Sequence, residues 1–309
     1  MKVLVIGAMG HIGSYLVREL VTLGHEVVAV SRGNRTPYAY DEAIWSKVRV
    51  ISASRDELVA SDIFKQERFD AVCDLLSLSV AQIESLVSQL TNDEFYLQIG
   101  SIWMYGDKKY LPVDEKHPHN SPEGSYGGRK GLAEDYLLSK AKKGELRCAV
   151  VHPGHISGKE WLPLNPMGNF NVEVYDKIRR GEEIILPFYG LATLHHIHSY
   201  DLTRVIIACL TKQDVSNGQA FISVAPNAMT MKAIAEALYL HCGHEPNIRY
   251  VSEEEFKASL SEKDYLASLD HISHSPVCSC QKSIELLGVE PKYSILDILK
   301  EYMDYNRPA

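Results

Sequence analysis

The sequence specifies an α/β fold: a doubly wound parallel sheet, followed by a smaller, irregular C-terminal lobe. Three observations point there. Short, β-branched runs alternate with amphipathic helical patterns through the first half of the chain. The first run breaks into a glycine-rich turn, Gly7-Ala8-Met9-Gly10-His11-Ile12-Gly13. From about Gly158 the alternation becomes irregular.

Taken in order, Lys2 to Ile6 reads as a central strand. After the glycines a helical pattern (Ile12, Leu16, Leu20, Leu23) runs to Gly24, and His25 to Val30 forms a second strand. This is the strand–turn–helix–strand context of a Rossmann-type dinucleotide site. Gly7 makes the tight turn, Gly10 lets backbone approach a pyrophosphate, and Gly13 lets helix and strand pack closely. Met9, His11 and Ile12 share that loop, and the helix N-terminus offers free N–H groups to phosphate. An NAD site places Asp or Glu about 20 residues further on, against the ribose 2′-hydroxyl. Here Ser31-Arg32-Gly33-Asn34-Arg35 holds no carboxylate and two arginines. That favours NADP(H), with NAD(H) possible.

Trp45 to Ser52 is expected as a third strand, Asp56 to Arg68 as a helix, and Phe69 to Leu76 as a fourth strand. Leu75, Leu76 and Ser77, at that strand's end, would pass beside the cofactor. Val80 to Leu90 reads as an amphipathic helix, and Glu94 to Ile99 as a fifth strand that stops at Gly100-Ser101. Ser101 therefore falls at a carboxyl edge, where open parallel sheets bind ligands. A polar loop, Asp107 to Gly124, precedes a helix capped by Ser125 and running to about Lys143. Tyr126 and Lys130 lie one turn apart on it. A nearby ammonium lowers a phenol's pKa, and a serine hydroxyl could share a substrate oxygen with that phenol.

Glu145 to Val151 is a further strand, and His152-Pro153-Gly154-His155-Ile156-Ser157-Gly158 reads as a turn at its end. In the lobe, helices are expected at Asn169–Arg180, Leu202–Lys212, Thr230–His241 and Ile295–Tyr305, with strands at Glu183–Leu186 and Ala220–Val224. His195, His196 and His198 are close together, and in a strand the last two share a face. No second ligand group with metal spacing accompanies them, so no metal is expected. They read either as structural groups or as substrate contacts, together with Trp103, Met104 and Asn165.

With 309 residues and 45% hydrophobic content, the chain forms one large domain or two closely joined ones. The expected division is a dinucleotide-binding part, 1–157, and a mainly substrate-binding lobe, 158–309, with some later segments returning to the first. A net charge of −8 without a long basic block makes nucleic acid an unlikely partner. No apolar run of about 18 residues spans a membrane, and no signal-peptide pattern is present, so a cytoplasmic location is expected. The six cysteines are scattered, and Cys278-Ser279-Cys280 is too tight for a metal or redox pair.

Together, Gly7-x-x-Gly10-x-x-Gly13, Ser101 before Met104-Tyr105-Gly106, Tyr126-x-x-x-Lys130, His152-Pro153-Gly154 and His198-Ser199-Tyr200-Asp201 resemble the extended short-chain dehydrogenase/reductase superfamily. Within it, the chain looks like the NAD(P)-dependent epimerase/dehydratase family. The resemblance implies that Tyr126 is the acid/base, that Lys130 lowers its pKa and holds the nicotinamide ribose, and that Ser101 binds the reacting oxygen. It implies that Gly100, Pro153, Gly154 and His155 flank the nicotinamide. It also implies a small-molecule substrate and a homodimer through helices at about Val80–Leu90 and Ser125–Lys143. Two departures stand out. Sugar-nucleotide 4,6-dehydratases carry Asp-Glu where this chain has Ile102-Trp103, which argues against that reaction. The family's Arg-Pro is His152-Pro153 here. Ile156 to Asp201 also resembles a branch near the chloroplast stem-loop RNA-binding proteins, which keeps open a non-catalytic NADP(H) sensor or an RNA- or protein-binding role.

Overall fold

The computed structural model describes residues 1–306 apart from Asn34 and Asn92, so the Asn34 position of the Ser31–Arg35 loop lies outside the described residues. Among the described residues thirteen strands form. The first six are β1 (Lys2–Ile6), β2 (Glu26–Ser31), β3 (Arg49–Ser52), β4 (Ala71–Asp74), β5 (Phe95–Ile99) and β6 (Arg147–Pro153). They are followed by β7 (His155–Ser157), β8 (Ile184–Pro187), β9 (Thr193–Leu194) and β10 (His196–His198). The last three are β11 (Gln219–Ser223), β12 (Met229–Thr230) and β13 (Ile248–Val251).

Seven strands make one sheet in the order β11-β6-β5-β4-β1-β2-β3. Every neighbour in it is parallel. β1 lies between β2 and β4, with Val5 opposite Ala29 on one side and Cys73 on the other. The strand order reverses there, and the crevice this creates at the carboxyl ends is where such sheets bind ligands. Strand residues alternate between two buried faces. Val3 and Val5 join Leu16, Val17 and Leu97 on one side. Leu4 and Ile6 join Val30, Ile83 and Leu137 on the other.

The later chain has its own core, in which Tyr175, Ile178, Leu238, Tyr239 and Leu299 pack together. It carries three two-stranded pairs, β10-β7, β12-β9 and β13-β8. Segments 199–223 nevertheless belong to the main sheet. The helix Ser199–Thr211 sends Leu202, Val205 and Ile206 into the core of β1 and β5, and β11 pairs with β6.

Several elements differ from the sequence reading. The expected helix 56–68 is two short ones, Arg55–Ala60 and Ile63–Gln66. Ser61, extended at φ −84° and ψ 166°, separates them. His152 and Pro153 are not turn but the end of β6, because β11 continues alongside them. His155–Ser157 is likewise a strand, since β10 supplies its hydrogen-bonding partner. The helix expected from Asn169 begins at Glu173, because the Asn165, Asn169 and Asn171 side chains bond to one another's turn instead. Helices Glu253–Ala258 and Glu262–His274 were not anticipated.

At the switch point the glycine loop is tightly built. Gly7 has φ +88°, and its N–H donates to the Val30 carbonyl at 3.0 Å. A Cβ on Gly13 would sit 2.3 Å from the Gly7 oxygen and 2.6 Å from the Ala8 Cα. We therefore expect Gly13→Ala to lower stability by about 1–3 kcal/mol in urea unfolding, through forced separation of helix and loop. An unchanged midpoint would show that the loop yields.

Candidate active site

The loop between β1 and the helix His11–Thr22 suits a pyrophosphate. Gly10 caps the helix without a side-chain hydrogen bond, and no acidic residue occupies the first turn. The first N–H groups and the positive end of the helix dipole thus face the crevice without competition from a side chain. Two cavities meet at this loop. A cleft of about 800 Å³ runs from Gly7, Gly10, Ile12 and Gly13 past Leu75 and Leu76 to His155 and Phe170. A recess of about 430 Å³ on the other side contains Met9, Ser31, Arg32 and Arg35. Asp56 also lines that recess, so the arginines there face one carboxylate. Arg32 and Arg35 are exposed, and Arg35 Nη1 donates to the Tyr38 hydroxyl at 3.2 Å. The residues fit a dinucleotide, with its pyrophosphate at the glycines and its adenosine end toward Arg32.

The turn after β4 is held from below. Asp74 is fully buried and accepts from Arg55 Nε at 2.9 Å, Tyr96 Oη at 3.2 Å and the N–H groups of Leu76 and Ser77. This presents Leu75 and Leu76 to the cleft. Ser77 does otherwise: its side chain turns inward to Asp74, and its carbonyl accepts from Lys130 Nζ at 2.8 Å. Of the three residues expected beside the cofactor, Ser77 thus has its side chain and carbonyl taken up by Asp74 and Lys130.

Ser101 follows β5 and begins a short 3₁₀ turn, Ile102–Tyr105. Its hydroxyl accepts from the Trp103 N–H at 3.2 Å and is close enough to the Tyr126 phenol to act on its pKa. Ser125 caps the helix Tyr126–Lys142 through the Gly128 N–H at 3.0 Å, so Tyr126 projects from its first residue toward the strand ends. Burial holds the Tyr126 hydroxyl above its ordinary pKa, while the Ser101 hydrogen bond and the Arg129 guanidinium pull it back.

Lys130 does not act on that phenol as expected. Its ammonium donates to the Ser77 and Ile99 carbonyls, at 2.8 and 2.6 Å, and lies 5.9 Å from the Tyr126 ring centroid. Burial pushes its pKa down to about 8, against an opposing pull from Asp74. The ammonium's partners are backbone dipoles, not the phenol oxygen, so the lowering of Tyr126 expected from the four-residue spacing is absent.

Behind Ser101 sits a group the sequence reading missed. His152 is fully buried; its Nδ1 accepts the Ser101 N–H at 3.0 Å, and its Nε2 contacts a Glu134 carboxylate oxygen. An acceptor at Nδ1 places the ring proton on Nε2, toward Glu134. Burial alone would raise the Glu134 carboxyl, but His152 and His119 outweigh it and bring it down to about 2. A Cβ on Gly100 would lie 2.1 Å from His152 Nδ1, so Gly100 leaves room for this ring. His152, at the end of β6, thus fixes the backbone of Ser101.

The far wall is aromatic. Trp103 stacks on His274 at 4.4 Å between centroids and meets His155 and His271 edge-on at 5.0 and 5.3 Å. Phe170 packs against His271 at 5.8 Å. Of the candidate substrate contacts, Trp103 and His196 pack against the His155 ring, but neither lines the cleft. Met104 packs elsewhere: it is fully buried with Tyr105, Val113 and Ile222, because the 3₁₀ turn rotates it inward. Asn165 is used up by Asn169, Asn171 and the Met167 N–H. His195 bonds the Ala225 carbonyl and the Cys278 N–H. His198 bonds Glu301 and the Tyr200 N–H. Pro153 and Gly154 close β6 against β11 and do not line the cleft. Among the described residues no group of three His, Cys, Asp or Glu suits a metal ion, and no helix is long and apolar enough to cross a membrane.

A glycine loop at the switch point, with Ser101, Tyr126 and Lys130 at the next strand ends, defines a dinucleotide-binding α/β protein of short-chain dehydrogenase type. Residues 3–223 match the NAD dependent epimerase/dehydratase family, and the chain belongs to that family. It is 26% identical to the UDP-glucose 4-epimerase of Drosophila melanogaster, over 68% of this chain and 72% of that one. It is 24% identical to the chloroplast stem-loop binding protein of 41 kDa b of Arabidopsis thaliana, over 99% of this chain and 80% of that one. The Thermotoga maritima UDP-glucose 4-epimerase with UDP-glucose has the same fold, with a TM-score of 0.73, 20% identity, and coverage of 99% of this chain and 98% of that one. The dTDP-glucose 4,6-dehydratase of Bacillus anthracis with NAD gives 0.72, at 16% identity and coverage of 99% and 96%.

The depressed Lys130 gives a pH prediction. Its folded pKa, about 8, lies below its free value of 10.5, so the unfolded chain binds more protons between those limits. Stability should therefore rise with pH through that window. Lys130→Met removes the effect. Relative to this variant, the wild type should gain up to about 3 kcal/mol in urea unfolding between pH 7 and 10.5. A pH-independent difference would show that the ammonium carries no burial penalty.

Proposed function

We propose that the protein is an NAD(P)-dependent epimerase or reductase that works at a secondary alcohol or ketone of a sugar, sugar nucleotide or other small molecule. The observation that supports this most is that Ser101, at the end of β5, acts on the Tyr126 phenol at the start of the helix Tyr126–Lys142. When bound, the nicotinamide supplies the hydride acceptor and donor. The chain's own residues do the rest. Tyr126 gives a proton to the substrate oxygen as a carbonyl is reduced, and takes it back as an alcohol is oxidised. A phenol held above its ordinary pKa stays protonated until the substrate oxygen gains charge, and the Ser101 hydroxyl shares that oxygen. Lys130 serves as an anchor for the strand ends and, on cofactor binding, as a donor to the ribose.

The UDP-glucose 4-epimerase relatives favour the epimerase form. A homodimer through the helices Val80–Val87 and Tyr126–Lys142 is part of the same proposal; Leu132, on the second of them, is 46% exposed. The Arabidopsis relative is named a stem-loop binding protein, and a nucleic-acid stem-loop is the second ligand to test.

Tyr126→Phe should lower turnover by about 10²–10⁴-fold while cofactor affinity stays within about threefold, since only the proton donor is removed. Wild-type turnover in that variant would overturn the acid–base role. The NADP(H) preference rests on Arg32 and Arg35 in the 430 Å³ recess. Replacing both with alanine should weaken NADPH by at least about tenfold and NADH by less than about twofold, read by fluorescence titration. Equal losses would assign the arginines to the surface.

A further inference from the structure

We propose that Glu134 and His152 are a positioning pair: the carboxylate fixes the tautomer of the imidazole, and the imidazole seats Ser101 against Tyr126. This rests on the roles proposed above for Ser101 and Tyr126, and adds two residues that act only through them.

Helical spacing brings the parts together. Tyr126, Lys130 and Glu134 follow one another at four-residue steps on the helix Tyr126–Lys142, so they share a face. Lys130 and Glu134 are buried on it. Lys130 ties that face to the carbonyls of Ser77 and Ile99. Glu134 ties it to the end of β6, through the contact of its Oε2 with His152 Nε2. His152 passes the link across to Ser101, whose N–H donates to Nδ1 at 3.0 Å. The helix that carries the phenol and the residue that carries the hydroxyl are therefore joined by a side-chain route of their own, Glu134 to His152 to Ser101.

Both ends of the imidazole demand the same tautomer. On one side the partner is a backbone N–H, which only donates, so Nδ1 must offer a lone pair. On the other side the partner is a carboxylate kept in its ionised form. Burial works against that charge, but His152 and His119 outweigh it and hold the carboxyl at about 2; His119 Nε2 lies 3.5 Å from Glu134 Oε1. An ionised carboxylate only accepts, so the ring proton belongs on Nε2. His152 Nε2 and Glu134 Oε2 are both buried, and among the described residues neither has any other hydrogen-bonding partner, so each is the complement of the other. Without the carboxylate nothing would keep the proton off Nδ1, where it would meet the Ser101 N–H head-on and push that backbone away. Glu134 thus decides whether His152 can hold Ser101.

Amide side chains separate the two ends of the ring. An asparagine amide lies as far from Cβ as Nδ1 does, and a glutamine amide as far as Nε2. His152→Asn therefore keeps an acceptor for Ser101, whereas His152→Gln keeps only a donor for Glu134. Ring-nitrogen NMR of the wild type should show His152 protonated at Nε2 alone. Glu134→Leu should move part of that proton to Nδ1, and Glu134→Gln, which keeps an accepting oxygen, should not. Hydrogen exchange at the Ser101 amide should be at least about tenfold faster in His152→Gln and Glu134→Leu, and within about threefold of the wild type in His152→Asn and Glu134→Gln. Combining Glu134→Leu with His152→Gln should add nothing to His152→Gln alone, since the carboxylate acts through the ring. Turnover of UDP-glucose with NADP⁺ should follow the exchange rates, with kcat about tenfold lower in the first two variants and KM within about twofold. Thermal melting shows whether each variant is folded. The pair is overturned if wild-type His152 carries its proton on Nδ1, if folded His152→Gln and His152→Asn exchange Ser101 alike, or if kcat does not follow exchange. Where the wild type does not turn over UDP-glucose, the nitrogen signals and exchange rates decide alone. Ser101→Ala separates the two readings: wild-type turnover in it overturns the role of Ser101 and leaves the seating by His152 to the NMR result.

Discussion

The Lys130 ammonium holds three elements in register. It projects from the helix Tyr126–Lys142 and is hydrogen-bonded to the carbonyls of Ser77, just past β4, and Ile99, at the end of β5. Those carbonyls lie at strand ends where the parallel ladder stops, so each needs a donor that the sheet no longer supplies. One cation serves both. In doing so it sets the height of the helix above the sheet, and hence where Tyr126 stands relative to Ser101. The depressed pKa of Lys130 is the cost of keeping the charge in a dry place.

The same sheet edge is braced from behind by His152. Ser101 is positioned twice over, through its N–H to His152 and through its hydroxyl to the Trp103 N–H. Gly100 is small because His152 fills the space a side chain would need. The result is a polar centre of few atoms, fixed by backbone contacts, against a wall of aromatic and imidazole rings. A Cβ on Gly127 would sit 2.4 Å from the Trp103 carbonyl oxygen, so this wall and the helix that carries Tyr126 abut directly. Their chemistries are separate: the centre comes from β5 and the helix after it, and much of the wall from residues beyond 154.

This division explains what could be read from the sequence. The turn of the glycine loop, the strand end before Ser101 and the helix that carries Tyr126 and Lys130 were legible because each is a local pattern with a local cause. The helix Ile295–Tyr305 was legible for the same reason. What the ammonium of Lys130 would touch was not, because Ser77 and Ile99 reach it through the sheet. The histidines were least legible. His195, His196 and His198 are sequence neighbours with three different fates, decided by Ala225, Leu164 and Glu301. His271 and Phe170 carried no local mark of a pocket, although Ser261 with Tyr265, Leu269 and Ile272 could have revealed the helix that carries His271. Met104 misled because a rim position in sequence became core once the 3₁₀ turn formed.

The placement of β11 has a bearing on how the protein is made. The edge of β6 is covered by residues 219–223, which follow most of the first half of the lobe. During synthesis the dinucleotide-binding sheet therefore has six strands available long before its seventh. Until then the backbone groups of Ala149 to Pro153 and the side chains of Ala149 and Val151 stand at an open edge. Such an edge pairs readily with foreign strands. The interval from residue 153 to residue 223 is thus the stretch of synthesis over which this edge stays uncovered.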